Sequence, residues 1–171
     1  MDAYGTYIPI LKAVTEHINC QNIFEFGMGN CSTKLFADKF AEVTSVEMQE
    51  EELYKKMVNE KLPSNVTLLC GIGTQPALDI LNSNDKRYSC IFVDGHGGNR
   101  WECINHSFGR TDVIVTHDTE YPGYDWNKVN KPPEYSWVDI KTYNPWTSII
   151  TKDYELIRYL LSIFPNYQIR C

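Results

Sequence analysis

The chain has 171 residues, of which 43% are hydrophobic and 13% aromatic, enough for one well-buried core and cramped for two, so residues 1–171 read as a single domain. A formal charge of −6 argues against a broad basic surface for nucleic acid or an anionic membrane. Nowhere do apolar residues run long enough to cross a bilayer, so no membrane partner is expected.

Tyr7, Ile8, Leu11, Val14 and Ile18 recur at helical spacing, which predicts an amphipathic helix within residues 4–19. The segments NIFEF (22–26), VTSVEM (43–48), NVTLLC (65–70), YSCIFVD (88–94) and DVIVTHD (112–118) are short, rich in Val, Ile, Phe and Thr, and separated by stretches of helical composition. That alternation predicts a parallel sheet with crossover helices. In STKLFADKFAEV, Leu35, Phe36 and Phe40 share one face while Lys34, Asp38 and Lys39 lie elsewhere, as a helix packed on a sheet requires. EEELYKKMVNEKL fits the same role. The strands are nearly continuous apolar runs because helices cover both faces of such a sheet.

Beyond residue 118, Pro122, Gly123, Pro132 and Pro133 interrupt any helix, and a long ordered loop is expected. Residues 135–143 and 145–152 read as an antiparallel pair at the sheet edge, followed by a helix at DYELIRYLLSIF. The fold class is therefore α/β, a three-layer αβα arrangement that is mostly parallel with an antiparallel edge hairpin. Cys20, Cys31, Cys70, Cys90, Cys103 and Cys171 form no CxxC pair, and MDAYGTYIPILKAV has no basic leader. They read as reduced core residues of a cytoplasmic protein.

In the stretch EFGMGNCST, Gly27 and Gly29 fall at the first strand-to-helix turn, the usual ligand position of an open α/β sheet. A dinucleotide fingerprint needs a third glycine where Ser32 stands, and no GxxxxGK[ST] loop exists, so a pyrophosphate or triphosphate is not indicated. Glu47 ends the second strand, where an acidic side chain accepts hydrogen bonds from both hydroxyls of a ribose. A nucleoside without pyrophosphate is implied.

Glu25, Gly27 and Gly29, followed by Glu47, resemble the pattern of class I S-adenosylmethionine (SAM)-dependent methyltransferases, with their Rossmann-like sheet, over roughly residues 4–118. The resemblance implies that Glu25 and the backbone around Gly27 and Gly29 hold the methionine part of SAM, and that Glu47 holds the ribose. The adenine would sit near the third strand, where LLCGIGTQ (68–75) lacks the acidic residue often found there.

Methyl transfer is an in-line displacement that needs orientation and a group that makes the acceptor nucleophilic. Candidates lie in VDGHGGNRW (93–101), with Asp94 and His96, and in VTHDTEYPG (115–123), with His117, Asp118 and Glu120. Asp94 and Asp118 end neighbouring strands, and converging carboxylates make either a hard-cation site or mutually repelling groups. They resemble the pair that holds magnesium in catechol-type and macrolide O-methyltransferases. That resemblance implies Asp94, His96 and Asp118 as catalytic residues, Asp94 and Asp118 as Mg2+ ligands, and a small-molecule or sugar acceptor. Thr119 stands where that pattern has asparagine, and His96 would replace its lysine base. Asp94 can instead bind the methionine end of the cofactor, and His117 can simply be packed or hydrogen-bonded in its strand.

Tyr121, Tyr124, Trp126, Tyr135, Trp137, Tyr143 and Trp146 either form a lid over an acceptor pocket or pack the loop or a dimer surface. The only Pro-Pro pair, in NKPPEY (130–135), lies too far from the fourth strand for an amine-methylating DNA enzyme. A ribose-methylating RNA set is nominated by position alone as Lys12, Asp94, Lys141 and Glu155, and the acidic charge argues against it. Aminopropyl transfer has no motif that requires it. A degenerate, regulatory methyltransferase-like subunit stays open as the noncatalytic alternative.

Overall fold

The computed structural model describes residues 5–95 and 99–170. In chain order they form α1 (Ile8–His17), β1 (Asn22–Phe26), α2 (Ser32–Lys39), β2 (Glu42–Glu47), α3 (Glu51–Asn59), β3 (Val66–Cys70), α4 (Thr74–Asn82), β4 (Cys90–Val93), α5 (Arg100–Ser107) and β5 (Val113–His117). Two single 3-10 turns, Pro122–Tyr124 and Trp126–Lys128, lead to β6 (Ser136–Ile140), β7 (Thr147–Thr151), α6 (Tyr154–Ile163) and β8 (Tyr167–Arg170). Local chemistry sets several of these boundaries. Pro9 sits in the first turn of α1, where its missing N–H would have no helical partner anyway. Asp153 caps α6 by accepting a 2.9 Å hydrogen bond from the Leu156 N–H.

All the strands belong to one sheet in the order β3-β2-β1-β4-β5-β7-β6-β8. β1 to β5 are mutually parallel; β7 runs antiparallel between β5 and β6, and β8 pairs antiparallel with β6. Period-two alternation sorts side chains to two cores. Ile23, Cys90 and Phe92 join α1, α2 and α6 through Leu11, Phe36 and Leu160, whereas Phe24, Phe26, Ile91 and Val93 join α4 and α5 through Leu78 and Ile104. These strands read as unbroken apolar runs because both faces are covered, as expected.

The expected antiparallel pair forms, but it is not outermost: β7 inserts between β5 and β6, and β8 takes the edge. β8 was not expected from the sequence. Tyr167, Gln168 and Ile169 are all exposed, so no buried face marks the strand, which backbone pairing to β6 holds. The cysteine expectation needs correction as well. Cys90 and Cys103 are buried, but Cys31 and Cys70 are exposed; all five described cysteines are free thiols. Among the described residues no helix is long and apolar enough to cross a membrane.

The chain passes from β1 to one side through β2 and β3, then returns to place β4 on the other side of β1. Such a reversal leaves a crevice at the carboxyl ends of the strands. The candidate site lies there.

Candidate functional site

A cavity of about 660 Å³ opens at this reversal point, within the range of small-molecule sites. Its lining brings together Gly27 and Gly29 from the first turn, Glu47 from the end of β2, Asp94 from the end of β4, and His117 and Asp118 from the end of β5.

Gly27 has φ of +88°, and a Cβ there would lie 2.5 Å from both the Asp94 carbonyl oxygen and the Gly95 Cα. Its N–H and that of Met28 donate to the Val46 carbonyl at 2.9 and 3.2 Å. The turn thus requires glycine to fit the exit of β1 between those of β2 and β4, independently of any ligand. Gly29 is a different case. Its backbone φ is not positive, and an added Cβ would meet the Ser32 hydroxyl at 2.7 Å.

Glu25 is fully buried and lies outside the cavity lining. Its Oε2 accepts from Thr33 Oγ1 at 2.6 Å and Ser45 Oγ at 2.5 Å, while Oε1 has no hydrogen-bond partner among the described residues. Burial pushes its carboxyl up to about 7, against the opposing effect of the Ser32, Ser45 and Thr33 hydroxyls.

Glu47 is 2% exposed yet reaches the cavity. Its Oε1 accepts from the backbone N–H groups of Gln49 and Glu50 at 2.7 and 2.9 Å, which fixes the carboxylate. Oε2 is buried without a hydrogen-bond partner among the described residues. A buried acceptor left unpaired is costly. A ligand hydroxyl is the kind of donor this oxygen fits, and the group the sequence implied here, a nucleoside, carries two.

Asp94 and Asp118 come together as their strand positions predict, but not around open space. Arg100, at the start of α5 and 4% exposed, lies between them, its Nη2 3.2 Å from Asp94 Oδ1 and 3.2 Å from Asp118 Oδ2. Arg100 Nε donates to the Gly95 carbonyl at 3.0 Å and Nη1 to the His117 carbonyl at 2.6 Å. His117 Nδ1 is 3.4 Å from Asp94 Oδ1 and 3.2 Å from Asp118 Oδ1, and its Nε2 is 3.1 Å from Thr6 Oγ1. Both ring nitrogens are engaged, so His117 organises the carboxylates rather than reaching outward. Asp118 holds φ of +58°, a left-handed conformation that aspartate tolerates better than most residues.

Tyr7, just ahead of α1, lines the same end of the cavity and packs edge-on against His117 at 4.7 Å. Burial, with a smaller contribution from Asp94, pushes its phenol far above the ordinary range, so it stays neutral. His96 lies outside the described residues.

Sequence reasoning missed Arg100, Tyr7 and the organising role of His117. Arg100 carried a legible signal: with Cys103, Ile104 and Ser107 it occupies the buried stripe of α5, where an arginine implies a buried partner. Of the aromatics beyond residue 118, Tyr124 alone is among the cavity-lining residues, its ring 4.3 Å from the Arg100 guanidinium carbon. Tyr121, Tyr124, Trp126 and Trp137 continue edge-to-face at 4.9, 5.5 and 6.2 Å, and Arg170 covers Trp137 at 4.7 Å. Packing therefore accounts for most of this region. Of the nominated RNA set, Asp94 alone lines the cavity; Lys12 is exposed on α1, Lys141 contacts Gln168, and Glu155 pairs with Arg158.

Solved structures share this architecture. The O-methyltransferase TomG from Streptomyces achromogenes, involved in tomaymycin synthesis and solved with SAM, superposes with a TM-score of 0.62 at 16% identity, over 87% of this chain and 79% of its own. An O-methyltransferase from Bacillus cereus solved with S-adenosylhomocysteine (SAH) gives 0.67 at 15% identity, over 89% and 82%. A precorrin 8w decarboxylase from Methanobacterium thermoautotrophicum gives 0.57 at 15% identity, over 83% and 86%. No protein-family model matches the chain, and no curated protein matches it significantly.

The chain has the class I SAM-dependent methyltransferase fold. Identities this low establish the architecture; the activity must be argued from the site.

Proposed function

We propose that this protein is a SAM-dependent methyltransferase that O-methylates a small molecule, with a sugar as a fitting acceptor. The observation that carries the reading is Glu47: one carboxylate oxygen is pinned by two backbone N–H groups, and the other is buried at the cavity without a hydrogen-bond partner among the described residues. That arrangement suits the ribose of SAM. Gly29 and the backbone beside Gly27 would face its methionine part.

When bound, SAM supplies an electrophilic methyl group on sulfur, which an acceptor oxygen takes while the sulfur keeps the electron pair of the broken bond. The chain's own contribution is orientation and proton removal. Asp118 and Asp94 are 25% and 20% exposed at the cavity, and their carboxylates accept hydrogen bonds from acceptor hydroxyls. Asp118 takes the acceptor proton as the C–O bond forms. Tyr7, neutral and partly facing the same space, donates to the acceptor or cofactor without competing for that proton.

Isothermal titration with SAH tests the reading without knowledge of the acceptor. Saturable binding near micromolar is expected. Glu47→Ala should weaken it by about 1–3 kcal/mol through lost charge-assisted hydrogen bonds. Binding of the same strength in wild type and a folded Glu47→Ala protein would move the ligand elsewhere, and no binding to wild type would favour a noncatalytic, regulatory subunit.

A further inference from the structure

The Asp94, His117 and Asp118 ligand atoms lie within 4.8 Å of one another, close enough to be mistaken for a divalent-cation site. Three observations show that these residues do not fit one. First, one oxygen of each carboxylate, Asp94 Oδ1 and Asp118 Oδ2, already faces Arg100 Nη2 at 3.2 Å, so a cation occupies the space between the two acids. Second, the guanidinium cannot easily leave, because Nε and Nη1 are tied to the Gly95 and His117 carbonyls and Tyr124 covers its face. Third, a magnesium ion needs oxygens at about 2.0–2.1 Å, which would press a dication against a buried, always-charged arginine.

We infer that Arg100 is the built-in counter-ion of the Asp94–Asp118 pair, standing where a divalent metal would bridge them, so that the site holds its two carboxylates together without metal. Arg100 is then a positioning residue. Its fork reaches an oxygen of each carboxylate, while the two backbone carbonyls fix its plane relative to the ends of β4 and β5. This concerns the acidic pair alone and stands or falls independently of SAM binding.

Manganese titration followed by electron paramagnetic resonance tests it directly on the full chain. Wild type should show no stoichiometric site below millimolar Mn2+, and SAH affinity should be unchanged by EDTA. Arg100→Ala, which clears the space but keeps the ligands, should bind one Mn2+ at least about ten-fold more tightly than wild type. Adding Asp118→Asn should abolish that gain, and Arg100→Lys, which retains a cation, should not acquire it. A one-to-one wild-type site of micromolar affinity that disappears in Asp118→Asn would overturn the inference, as would a folded Arg100→Ala protein that binds no better than wild type. Should Arg100→Ala fail to fold, the wild-type titration decides.

Discussion

Glu25 accepts a 2.6 Å hydrogen bond from Thr33, and the same Thr33 hydroxyl oxygen accepts the Gly29 N–H at 3.1 Å. A buried acid outside the cavity lining thereby holds the glycine turn from beneath.

This placement makes stability depend on pH. Burial raises the folded carboxyl from 4.5 to about 7, so folding favours the protonated form. Below about pH 4.5 both folded and unfolded states are protonated and the group is neutral to stability. As pH rises from there through 7, the unfolded chain ionises first, and stability falls by up to about 3 kcal/mol. Urea denaturation should give a lower unfolding free energy at pH 8 than at pH 5.5, and Glu25→Gln should flatten that difference. An unchanged slope in the variant would assign the pH dependence to other groups.

Gly27 and Gly29 should respond differently to alanine. At Gly27 the new Cβ meets backbone at 2.5 Å and the residue must hold φ of +88°, so Gly27→Ala should lose about 2–5 kcal/mol of stability. At Gly29 the neighbour is the Ser32 hydroxyl, a movable side chain, and the loss should be well below half as large. Chemical denaturation of the two variants side by side checks this. Comparable losses would mean that the turn relaxes around residue 27.

Arg170 ties the unexpected edge strand to the site. Its Nε donates to Asp139 Oδ2 at 2.6 Å and its Nη2 to the carbonyl of Thr119 at 2.8 Å, while Asp139 Oδ1 accepts from Trp137 and Ser148. Asp139 is 1% exposed, so Arg170→Ala would strand a buried carboxylate. Because Arg170 is itself partly exposed, a loss of about 2–3 kcal/mol is expected rather than the full cost of breaking a buried pair. The double variant Asp139→Ala/Arg170→Ala should be less destabilised than additivity requires. Strict additivity in thermal or urea melts would deny the coupling.

The parallel half of the fold was legible because β1, β4 and β5 are buried on both faces and therefore read as short apolar runs. Strand-end placement was legible too, since the carboxyl ends of parallel strands must share one side; that rule alone brings Glu47, Asp94 and Asp118 to one cavity. What escaped depends on tertiary partners. β8 is only four residues long, and its apolar face, Tyr167 and Ile169, stays exposed. The helical stripe it shares with Cys103, Ile104 and Ser107 marks Arg100 as buried, but its partners emerge only when Asp94 and Asp118 are seen on either side of it. Glu25 looks like a ligand contact until its register beside Phe24 and Phe26 directs it beneath the turn, towards Thr33 and Ser45.

Asp118 is the residue whose removal should separate chemistry from cofactor affinity, and asparagine is the substitution to use. Asparagine tolerates the φ of +58° that alanine would resist, and it keeps the side-chain shape while removing the charge that accepts a proton. Asp118→Asn also leaves Arg100 paired with Asp94, so the guanidinium keeps one carboxylate. SAH affinity should stay within about two-fold of wild type, whereas transfer of labelled methyl from SAM to the best acceptor in a panel of hydroxylated small molecules and sugars should fall about 10²- to 10⁴-fold, the usual worth of a general base. Equal losses in SAH binding and in transfer would instead make Asp118 part of the cofactor pocket and shift the search for the base to Asp94.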